Sequence, residues 1–254
     1  MKWLSFRMGS RSGFGTLEGD QVHVYTGELF DEPIASDEWL TLDDIEWLTP
    51  CKPGKIIGLW NNFHALADKN GWARPAEPLY FLKSPGSACA HRQAIAAAPQ
   101  AVGRVAYEGE LAIVLGRRAY RLAPDEAAAA IFGYTCANDL TAIELLHRDP
   151  TFPQWTRAKS FDGFAAFGPV IETEFDLASA SLRTRVGGRE RQNFALSDMV
   201  FPPAELVSRL SHDMTLEPGD LVLCGTSLGV LPMKPGSDVE VEIDGIGVLA
   251  NRYG

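Results

Sequence analysis

The pattern of apolar and polar positions over residues 107–116 predicts a β-strand with two carboxylates on one side. Successive strand residues point to opposite faces of a sheet, so Glu108 and Glu110 project the same way. The apolar residues at 111, 113 and 115 line the other face. Two like charges in a half-buried strand repel each other and are costly to desolvate. The pair is tolerated if one carboxylate is protonated, if cations lie nearby or if a metal ion lies between them, while exposed strand acids would also explain it.

Shorter apolar runs bounded by turn residues predict further strands. These runs are 14–17, 21–25, 55–59, 79–82, 132–136, 167–171, 182–186, 221–224 and 239–243. The first two would form a hairpin around Gly19-Asp20, and the acidic stretch 31–44 is expected to be a loop. Helices are predicted at 124–130, where Pro124 suits a first turn, and at 203–211, where apolar residues recur at helical spacing.

The order of these elements predicts an α+β, strand-dominated fold with a large, mainly antiparallel or mixed sheet system. The regular βαβ alternation of a doubly wound fold is absent. Pro50 and Pro53-Gly54 interrupt the pattern ahead of the strand at 55–59. We therefore expect a small N-terminal β-rich domain over 1–52 and a larger domain over 53–254 that carries the acidic strand.

Composition narrows the class of protein. The 254 residues are 46% hydrophobic and 22% charged, as in a globular protein with one large domain or one domain plus a small appendage. The net charge of -10 argues against nucleic acid and anionic membranes as partners, but it allows a local basic pocket for an acidic small molecule. The N-terminus lacks the features of a signal peptide, and no apolar run approaches the roughly 20 residues of a membrane span.

The four cysteines are scattered, without a Cys-x-x-Cys pair. They are Cys51, Cys89, Cys136 and Cys224. This spacing is typical neither of a disulfide framework nor of a zinc site, and we expect reduced, buried thiols in a cytoplasmic protein.

A third carboxylate, Asp139, ends the apolar strand predicted around 132–136. Together with Glu108 and Glu110 it would form an all-oxygen site. Such a site suits a hard divalent cation, Mg²⁺ first, with Mn²⁺ or Ca²⁺ as alternatives, whereas soft-metal sites use Cys or His.

Four motifs, in order and spacing, resemble the fumarylacetoacetate hydrolase superfamily. They are Tyr-Glu-Gly-Glu-Leu-Ala-Ile-Val-Leu-Gly (107–116), Gly-Tyr-Thr-Cys-Ala-Asn-Asp (133–139), Ala-Lys-Ser-Phe-Asp (158–162) and Leu-Glu-Pro-Gly-Asp-Leu-Val-Leu-Cys-Gly-Thr (216–226). The resemblance covers residues 55–253, including the closing segment 241–252. The small leading domain is similar to that of single-domain members related to 2-hydroxyhepta-2,4-diene-1,7-dioate isomerase.

This resemblance implies a mixed β-sandwich roll, usually dimeric, in which Glu108, Glu110 and Asp139 hold a divalent metal. It also implies a 2-oxo or enol carboxylic acid as substrate, so that a homodimer with a small-molecule partner is expected. The metal would polarise the 2-oxo group as a Lewis acid, and Lys159 would stabilise the enolate-like charge.

Further roles follow from the same resemblance. His64 matches the histidine of a lid segment and would act as a general base or proton shuttle. Thr226 matches a threonine that binds substrate. Gln154 and Arg157, just before Lys159, could reach a substrate carboxylate, although a surface role is as plausible for either.

Two positions depart from the family pattern. Many relatives carry a Glu three residues after the lid histidine, where this chain has Ala67, and we expect Asp68 to be within helical reach of His64 as a substitute. Relatives also carry an Arg where Ile143 stands, so that Arg148 or Arg157 would replace it or the substrate would differ.

Three functions are compatible with these residues, and we expect the first, with the other two as alternatives. The first is hydrolytic carbon–carbon bond cleavage of an acylpyruvate-type, fumarylacetoacetate-like substrate, which requires a base to activate water. The second is isomerisation or decarboxylation of an unsaturated 2-oxo dicarboxylic acid from aromatic catabolism, which needs no attacking water. The third is a low-turnover protein that binds a metal and a 2-oxo acid.

Overall fold

The computed structural model describes all residues, 1–254, and strands dominate it. The twenty strands are β1 (Lys2–Met8), β2 (Arg11–Glu18), β3 (Gln21–Glu28), β4 (Asp31–Thr41), β5 (Glu46–Trp47), β6 (Ile56–Trp60), β7 (Leu79–Lys83), β8 (Ala88–Cys89), β9 (Ala94–Ile95), β10 (Val105–Ala106), β11 (Gly109–Leu115), β12 (Ile131–Asp139), β13 (Thr141–Ala142), β14 (Ala165–Glu172), β15 (Ser181–Val186), β16 (Arg189–Ala195), β17 (Leu221–Leu223), β18 (Pro232–Met233), β19 (Ser237–Ile243) and β20 (Gly247–Tyr253). The five α-helices are α1 (His64–Asn70), α2 (Pro124–Ala130), α3 (Ile143–Leu146), α4 (Trp155–Lys159) and α5 (Pro203–Asp213). Short 3₁₀ helices lie at Leu42–Asp44, Pro85–Ser87, Gln100–Val102 and Leu196–Asp198.

The strands form three sheets, of which the two larger ones are mixed and the smallest is antiparallel. A 12-stranded sheet runs in the order β4-β3-β2-β1-β14-β12-β11-β17-β6-β7, with β5 paired to β1 and β8 paired to β14. A five-stranded sheet has the order β16-β15-β19-β20-β9, and a three-stranded sheet has the order β13-β10-β18. Most pairs are antiparallel, but β17 runs parallel to β6 and β14 parallel to β8, so the prediction of a mixed system is confirmed.

The core lies on both faces of the large sheet. On β11, Leu111 and Ile113 belong to a core cluster of 45 buried residues that also contains Val241 and Leu249 of the five-stranded sheet. The alternate positions, including Ala112, belong to a separate buried cluster of 11 residues. The alternation predicted for this strand is therefore confirmed, and the two packed sheets form the expected sandwich.

The N-terminal strands are part of the large sheet. β1 pairs antiparallel with β14, so β1 to β4 extend the sheet that carries β11 and β12. The hairpin of β2 and β3 turns at Gly19-Asp20 as predicted. The domain division at residue 52 stays a prediction, because the ladder is continuous across the two parts.

One sequence prediction is wrong. The acidic stretch 31–44 is not a loop, because its first eleven residues form β4 and the 3₁₀ helix Leu42–Asp44 follows. β4 is an edge strand of the large sheet, paired only with β3, and most of its side chains are exposed or half-buried. An edge strand without a buried face lacks the apolar alternation on which the strand prediction depended.

All four cysteines are buried and unpaired, as expected. The longest helix, α5, has 11 residues, and none of the helices combines the length and apolar character that crossing a membrane requires.

Candidate active site

The register between β11 and β12 brings the three predicted carboxylates together. Gly109 lies opposite Asn138, so the next residues outward, Glu108 and Asp139, are neighbours on one face. The Asp139 amide donates to the Glu108 carbonyl over 2.9 Å and extends the ladder to this pair. Glu110 lies on the same face. One carboxylate oxygen from each residue lies within 4.8 Å of the other two. Glu110 and Asp139 are fully buried and Glu108 is half-buried, so the three do not form an exposed set of strand acids.

A glycine turn after β17 holds Glu110. The Gly225 amide donates to Glu110 Oε2 over 2.7 Å. Gly225 has φ +87°, a conformation that L side chains rarely adopt, and an added Cβ would lie 3.3 Å from the Leu59 carbonyl oxygen. The next residue, Thr226, donates its hydroxyl to the Gly109 carbonyl over 2.9 Å, and this bond ties the turn to the acidic strand.

Two buried lysines face the carboxylates. Lys159, at the end of α4, donates to Glu108 Oε2 over 2.8 Å and to Asp139 Oδ2 over 2.6 Å. Lys83, the last residue of β7, donates to the other oxygen of Asp139. The two lysines are aligned because the Ser84 amide donates to Ser160 Oγ over 2.8 Å, joining the residues that follow each lysine.

The contact between Lys83 and Asp139 shows how strongly the large sheet curls. Three strands, β11, β17 and β6, separate β12 from β7 in the sheet order. Neighbouring strands lie about 4.8 Å apart, so a flat sheet would place the outer two roughly 19 Å apart. Hydrogen bonding between their side chains therefore requires a rolled sheet, with the carboxylates on its concave face.

The cluster carries three carboxylates and two ammonium groups, and it is almost fully buried. Burial raises the pKa of Glu110 well above its usual range, and the Asp139 carboxylate adds to the effect. Burial opposes the charged form of Lys159, but Asp139 and Glu108 outweigh it and raise the pKa of Lys159. Burial lowers the pKa of Lys83, and the neighbouring Lys159 acts in the same direction.

The donor set fits a hard divalent cation. Glu110 accepts a single hydrogen bond from the protein, which leaves its other oxygen available. The Cys224 thiol lies beside Glu110. Burial and the Glu110 carboxylate raise the pKa of Cys224 well above the ordinary value, so it stays a neutral thiol. Oxygen atoms without a thiolate or imidazole among them are typical of Mg²⁺, Mn²⁺ or Ca²⁺ sites.

The segment that contains His64 is fastened beside this cluster. Asn62 is buried and donates to the Cys224 carbonyl over 2.9 Å, next to the Gly225 turn. At the start of α1, the Ala65 amide donates to Asp198 Oδ2 over 3.0 Å. His64 is half-buried, whereas Ala67 is fully buried in the core.

The expected link between His64 and Asp68 runs through a third residue. Arg74 donates from Nε to His64 Nδ1 over 2.6 Å and from Nη2 to Asp68 Oδ1 over 2.7 Å. Asp68 therefore orients Arg74, and Arg74 contacts the imidazole. Sequence inspection did not single out Arg74, because it lies beyond the helix and no helical spacing connects it to His64.

The residues predicted to bind substrate differ in their exposure and in their hydrogen bonds to the protein. Thr226 accepts from Gln192 Nε2 over 2.8 Å, so its hydroxyl is occupied by protein groups. Gln154 is the half-buried N-cap of α4, and Arg157 is exposed on the same helix. Arg148 donates to the Ala101 carbonyl over 2.5 Å, and Ile143 begins α3.

Aromatic side chains and Lys83 complete the site. Phe81 stacks on Trp155 with ring centroids 5.1 Å apart, and Lys159 Nζ lies 4.9 Å from the Phe81 ring. Trp60 lies beside Trp155 and Trp72, with centroid separations of 6.4 and 4.9 Å. Phe81 and Lys83 share a face of β7, and Lys83 directly follows the predicted strand 79–82. This spacing was the one sequence signal that a lysine lies on the same face as Phe81.

A strand-rich roll with a buried cluster of carboxylates and lysines on its concave face defines the class of protein. The family profile described as Fumarylacetoacetate (FAA) hydrolase C-terminal matches residues 55–253, and the profile described as Rv2993c-like, N-terminal matches residues 1–50. The chain belongs to the fumarylacetoacetate hydrolase family, and the fold prediction is confirmed.

The named relatives include a tautomerase, an isomerase/decarboxylase and an isomerase. The oxaloacetate tautomerase YisK of Bacillus subtilis is 35% identical over 93% of this chain and 84% of its own length. A 4-hydroxyphenylacetate degradation bifunctional isomerase/decarboxylase of Salmonella dublin is 33% identical over 92% of this chain and 55% of its own length. The structure of 2-hydroxyhepta-2,4-diene-1,7-dioate isomerase from Mycobacterium marinum superposes with a TM-score of 0.91 at 32% identity and covers 100% of this chain and 98% of that chain.

Proposed function

We propose that this protein is a divalent-metal-dependent enzyme that isomerises or tautomerises a 2-oxo carboxylic acid through an enolate-like state. The observation that carries the proposal is the buried cluster of Glu108, Glu110 and Asp139, whose oxygens lie within 4.8 Å of one another. When bound there, a divalent cation, Mg²⁺ first and Mn²⁺ or Ca²⁺ as alternatives, supplies Lewis-acid polarisation of the 2-oxo group.

Lys159 supports this chemistry as a positive charge. Its carboxylate neighbours raise its pKa, so it remains an ammonium group and donates hydrogen bonds rather than accepting a proton. A fixed ammonium group in a water-poor site stabilises negative charge that develops on a substrate oxygen. Lys83 contributes a second cation on the far side of Asp139.

Isomerisation is favoured over hydrolysis by the surroundings of His64. Hydrolysis needs a base that takes a proton from water, and a base of this kind is usually oriented by a carboxylate. His64 Nδ1 instead faces the Arg74 guanidinium. Isomerisation, tautomerisation and decarboxylation involve no attacking water. The names of the relatives support the preference for these reactions over hydrolysis.

Substrate contacts are proposed at three residues, of which two lie on the same helix as Lys159. Arg157, two residues before it, is exposed and available to a substrate carboxylate, for which a guanidinium offers two parallel donors. Gln154 starts the same helix, and Thr226 ends the turn that holds Glu110. The homodimer implied by the family resemblance is also a proposal, which sedimentation velocity would test.

The test is a substrate panel with and without Mg²⁺. Oxaloacetate, a hydroxymuconate-type diene and an acylpyruvate are each incubated with enzyme in Mg²⁺ or in EDTA. An ultraviolet change without cleavage, dependent on Mg²⁺, is expected for the first two. Pyruvate and a carboxylic acid released faster than this change would favour hydrolysis instead, and metal binding without turnover of any substrate would favour the low-turnover binding protein.

Glu110→Gln tests the site itself. The amide keeps the shape but removes a negative ligand, so the Mg²⁺ affinity is expected to fall by at least about 100-fold, with loss of turnover. Glu18→Gln, an exposed glutamate at the end of β2, is the matched control and should behave as wild type. Retention of both metal affinity and rate by Glu110→Gln would contradict the proposal.

A further inference from the structure

The contact between Arg74 and His64 has no part in the cluster of carboxylates and lysines described above. The helix α1 ends at Asn70 and is capped by Gly71, which has φ 66° and reverses the chain. The Trp72 amide donates to the Ala67 carbonyl over 3.0 Å. Asn61 Nδ2 then donates to the Ala73 carbonyl over 3.0 Å. These bonds return the chain to the start of the helix and hold Arg74 beside the imidazole.

The geometry of this contact fixes the chemistry of the imidazole. A guanidinium carries donors only, so the nitrogen that it faces must offer a lone pair. Arg74 Nε lies 2.6 Å from His64 Nδ1, and the Asp68 carboxylate fixes the guanidinium from the other side over 2.7 Å. In a neutral imidazole the hydrogen then lies on Nε2, and a doubly protonated ring could not accept this bond.

We propose that Arg74 is a positioning residue that holds His64 as the neutral Nε2–H tautomer, so that His64 donates a hydrogen bond to the substrate instead of accepting a proton from water. A carboxylate at the position of Arg74 would do the opposite. It would accept the hydrogen of Nδ1 and leave Nε2 as a base. Only the expected effect on the reaction rate rests on the proposed function, because the tautomer of His64 is a property of the free protein.

This tautomer suits an enolate-like state. A neutral imidazole N–H aimed at an oxygen that gains charge stabilises it without a proton transfer, as in other isomerases that use a neutral histidine as an electrophile. A His64 already protonated at Nε2 cannot take the proton of an attacking water at that nitrogen. Arg74 therefore biases the site towards isomerisation and away from hydrolysis.

The first experiment reads the tautomer directly. Protein labelled with ¹⁵N-histidine is studied by long-range ¹H–¹⁵N NMR in the absence of substrate, with His64 assigned from the signals lost in His64→Gln. The wild type is expected to show a protonated Nε2 and a lone-pair Nδ1. A wild-type spectrum with the hydrogen on Nδ1 would overturn the proposal, whether or not the protein shows isomerase activity.

The second experiment inverts the contact. Arg74→Glu, combined with Asp68→Asn to avoid repulsion, is expected to move the hydrogen to Nδ1, to lower the isomerisation rate by about 100-fold and to raise acylpyruvate hydrolysis relative to it. Arg252→Glu, an exposed arginine paired with Asp238, is the matched charge-reversal control and should leave the His64 signals and both rates unchanged. An Nε2–H signal that persists in the double variant would also overturn the proposal.

A milder variant provides the test if the double variant does not fold. Arg74→Met removes the donor and keeps the length of the side chain, so the two ring nitrogens are expected to give averaged shifts between the tautomers. Arg74→Lys keeps a donor and should restore the wild-type pattern. If the tautomer is as proposed but no isomerisation occurs with any substrate, the proposed function fails while this inference stands.

Discussion

Lys83 is the residue that most changes the picture drawn from the sequence. Its side chain is fully buried and bonds to Asp139, on the opposite side from Lys159. Two ammonium groups thus balance most of the charge of three carboxylates, which explains how such a cluster is tolerated in the folded protein before any cation binds. Removing one partner of a buried ion pair strongly destabilises the folded protein, because the other charge stays buried without a partner.

Lys83→Met is therefore expected to lower the free energy of unfolding by about 3–5 kcal/mol in EDTA, because Asp139 keeps its charge without this partner. Mg²⁺ should recover part of the loss, since a cation at the carboxylates restores the charge balance. Urea denaturation with and without Mg²⁺ measures both effects. Lys55→Met is the control, because Lys55 pairs with the buried Asp220 and its loss should not respond to Mg²⁺.

At the residue scale, the sequence predicted the carboxylates well and the cations only in part. Glu108 and Glu110 follow from strand alternation, and Asp139 follows from its place at a strand end. Lys83 could not be predicted in this way, because its contact with Asp139 depends on the roll of the whole sheet. Arg74 was missed for a related reason, since a loop and not a periodic element returns it to His64.

At the scale of elements, every predicted strand is present, but β4, like β1, β16 and β20, was not predicted. The runs at 55–59 and 79–82 became β6 and β7, the pair that carries Phe81 and Lys83 to the site. The close packing of β6 against β7 depends on Gly58, because the Phe81 ring lies directly over this glycine. Sequence alone gives the strand but not this close approach, which depends on the register of the pair.

Gly58→Ala is expected to disturb the site through Phe81. An added Cβ would lie 2.4 Å from Phe81 Cζ, so the ring, which contacts Trp155 and Lys159, must shift. We expect the free energy of unfolding to fall by about 1–3 kcal/mol and the turnover rate to decrease. Gly86→Ala, whose Cβ would meet only Ser84 Oγ at 3.5 Å, is the control and should change neither quantity. A wild-type rate for Gly58→Ala would mean that the position of Phe81 does not matter to catalysis.

At the scale of the whole molecule, His91 lies where the N-terminal strands meet the rest of the chain. Its ring contacts Trp47 with centroids 5.1 Å apart, and its Nδ1 accepts from the Ala250 amide over 3.1 Å. Burial lowers the pKa of His91 to about 4, and the neighbouring Arg92 acts in the same direction. The imidazole is therefore neutral in the folded protein over most of the acid range.

This shift predicts a pH dependence of stability. The ordinary pKa is 6.5, so as the pH falls from 6.5 to about 4 the unfolded chain binds a proton that the folded protein does not. The contribution of His91 therefore destabilises the fold progressively over this window and levels off below it. His91→Asn, which keeps an acceptor for the Ala250 amide, should flatten this part of the curve. Urea titrations from pH 8 to 4 give the measurement, and parallel curves for the two proteins would contradict it.

The carboxylates lie on central strands of the large sheet, whereas the groups that act with them come from its edge or from outside it. β11 and β12 lie between paired strands, and β11 is buried along its whole length, so substitutions there disturb the ladder on both sides. Lys83 comes from the edge strand β7, and His64 and Arg74 come from a short helix and its return loop. A lineage can thus vary the proton chemistry by mutating the helix and loop that carry His64 and Arg74, at little cost in folding, while the same carboxylates are inherited unchanged. New reactions in such a scaffold would then arise at the rim of the sheet.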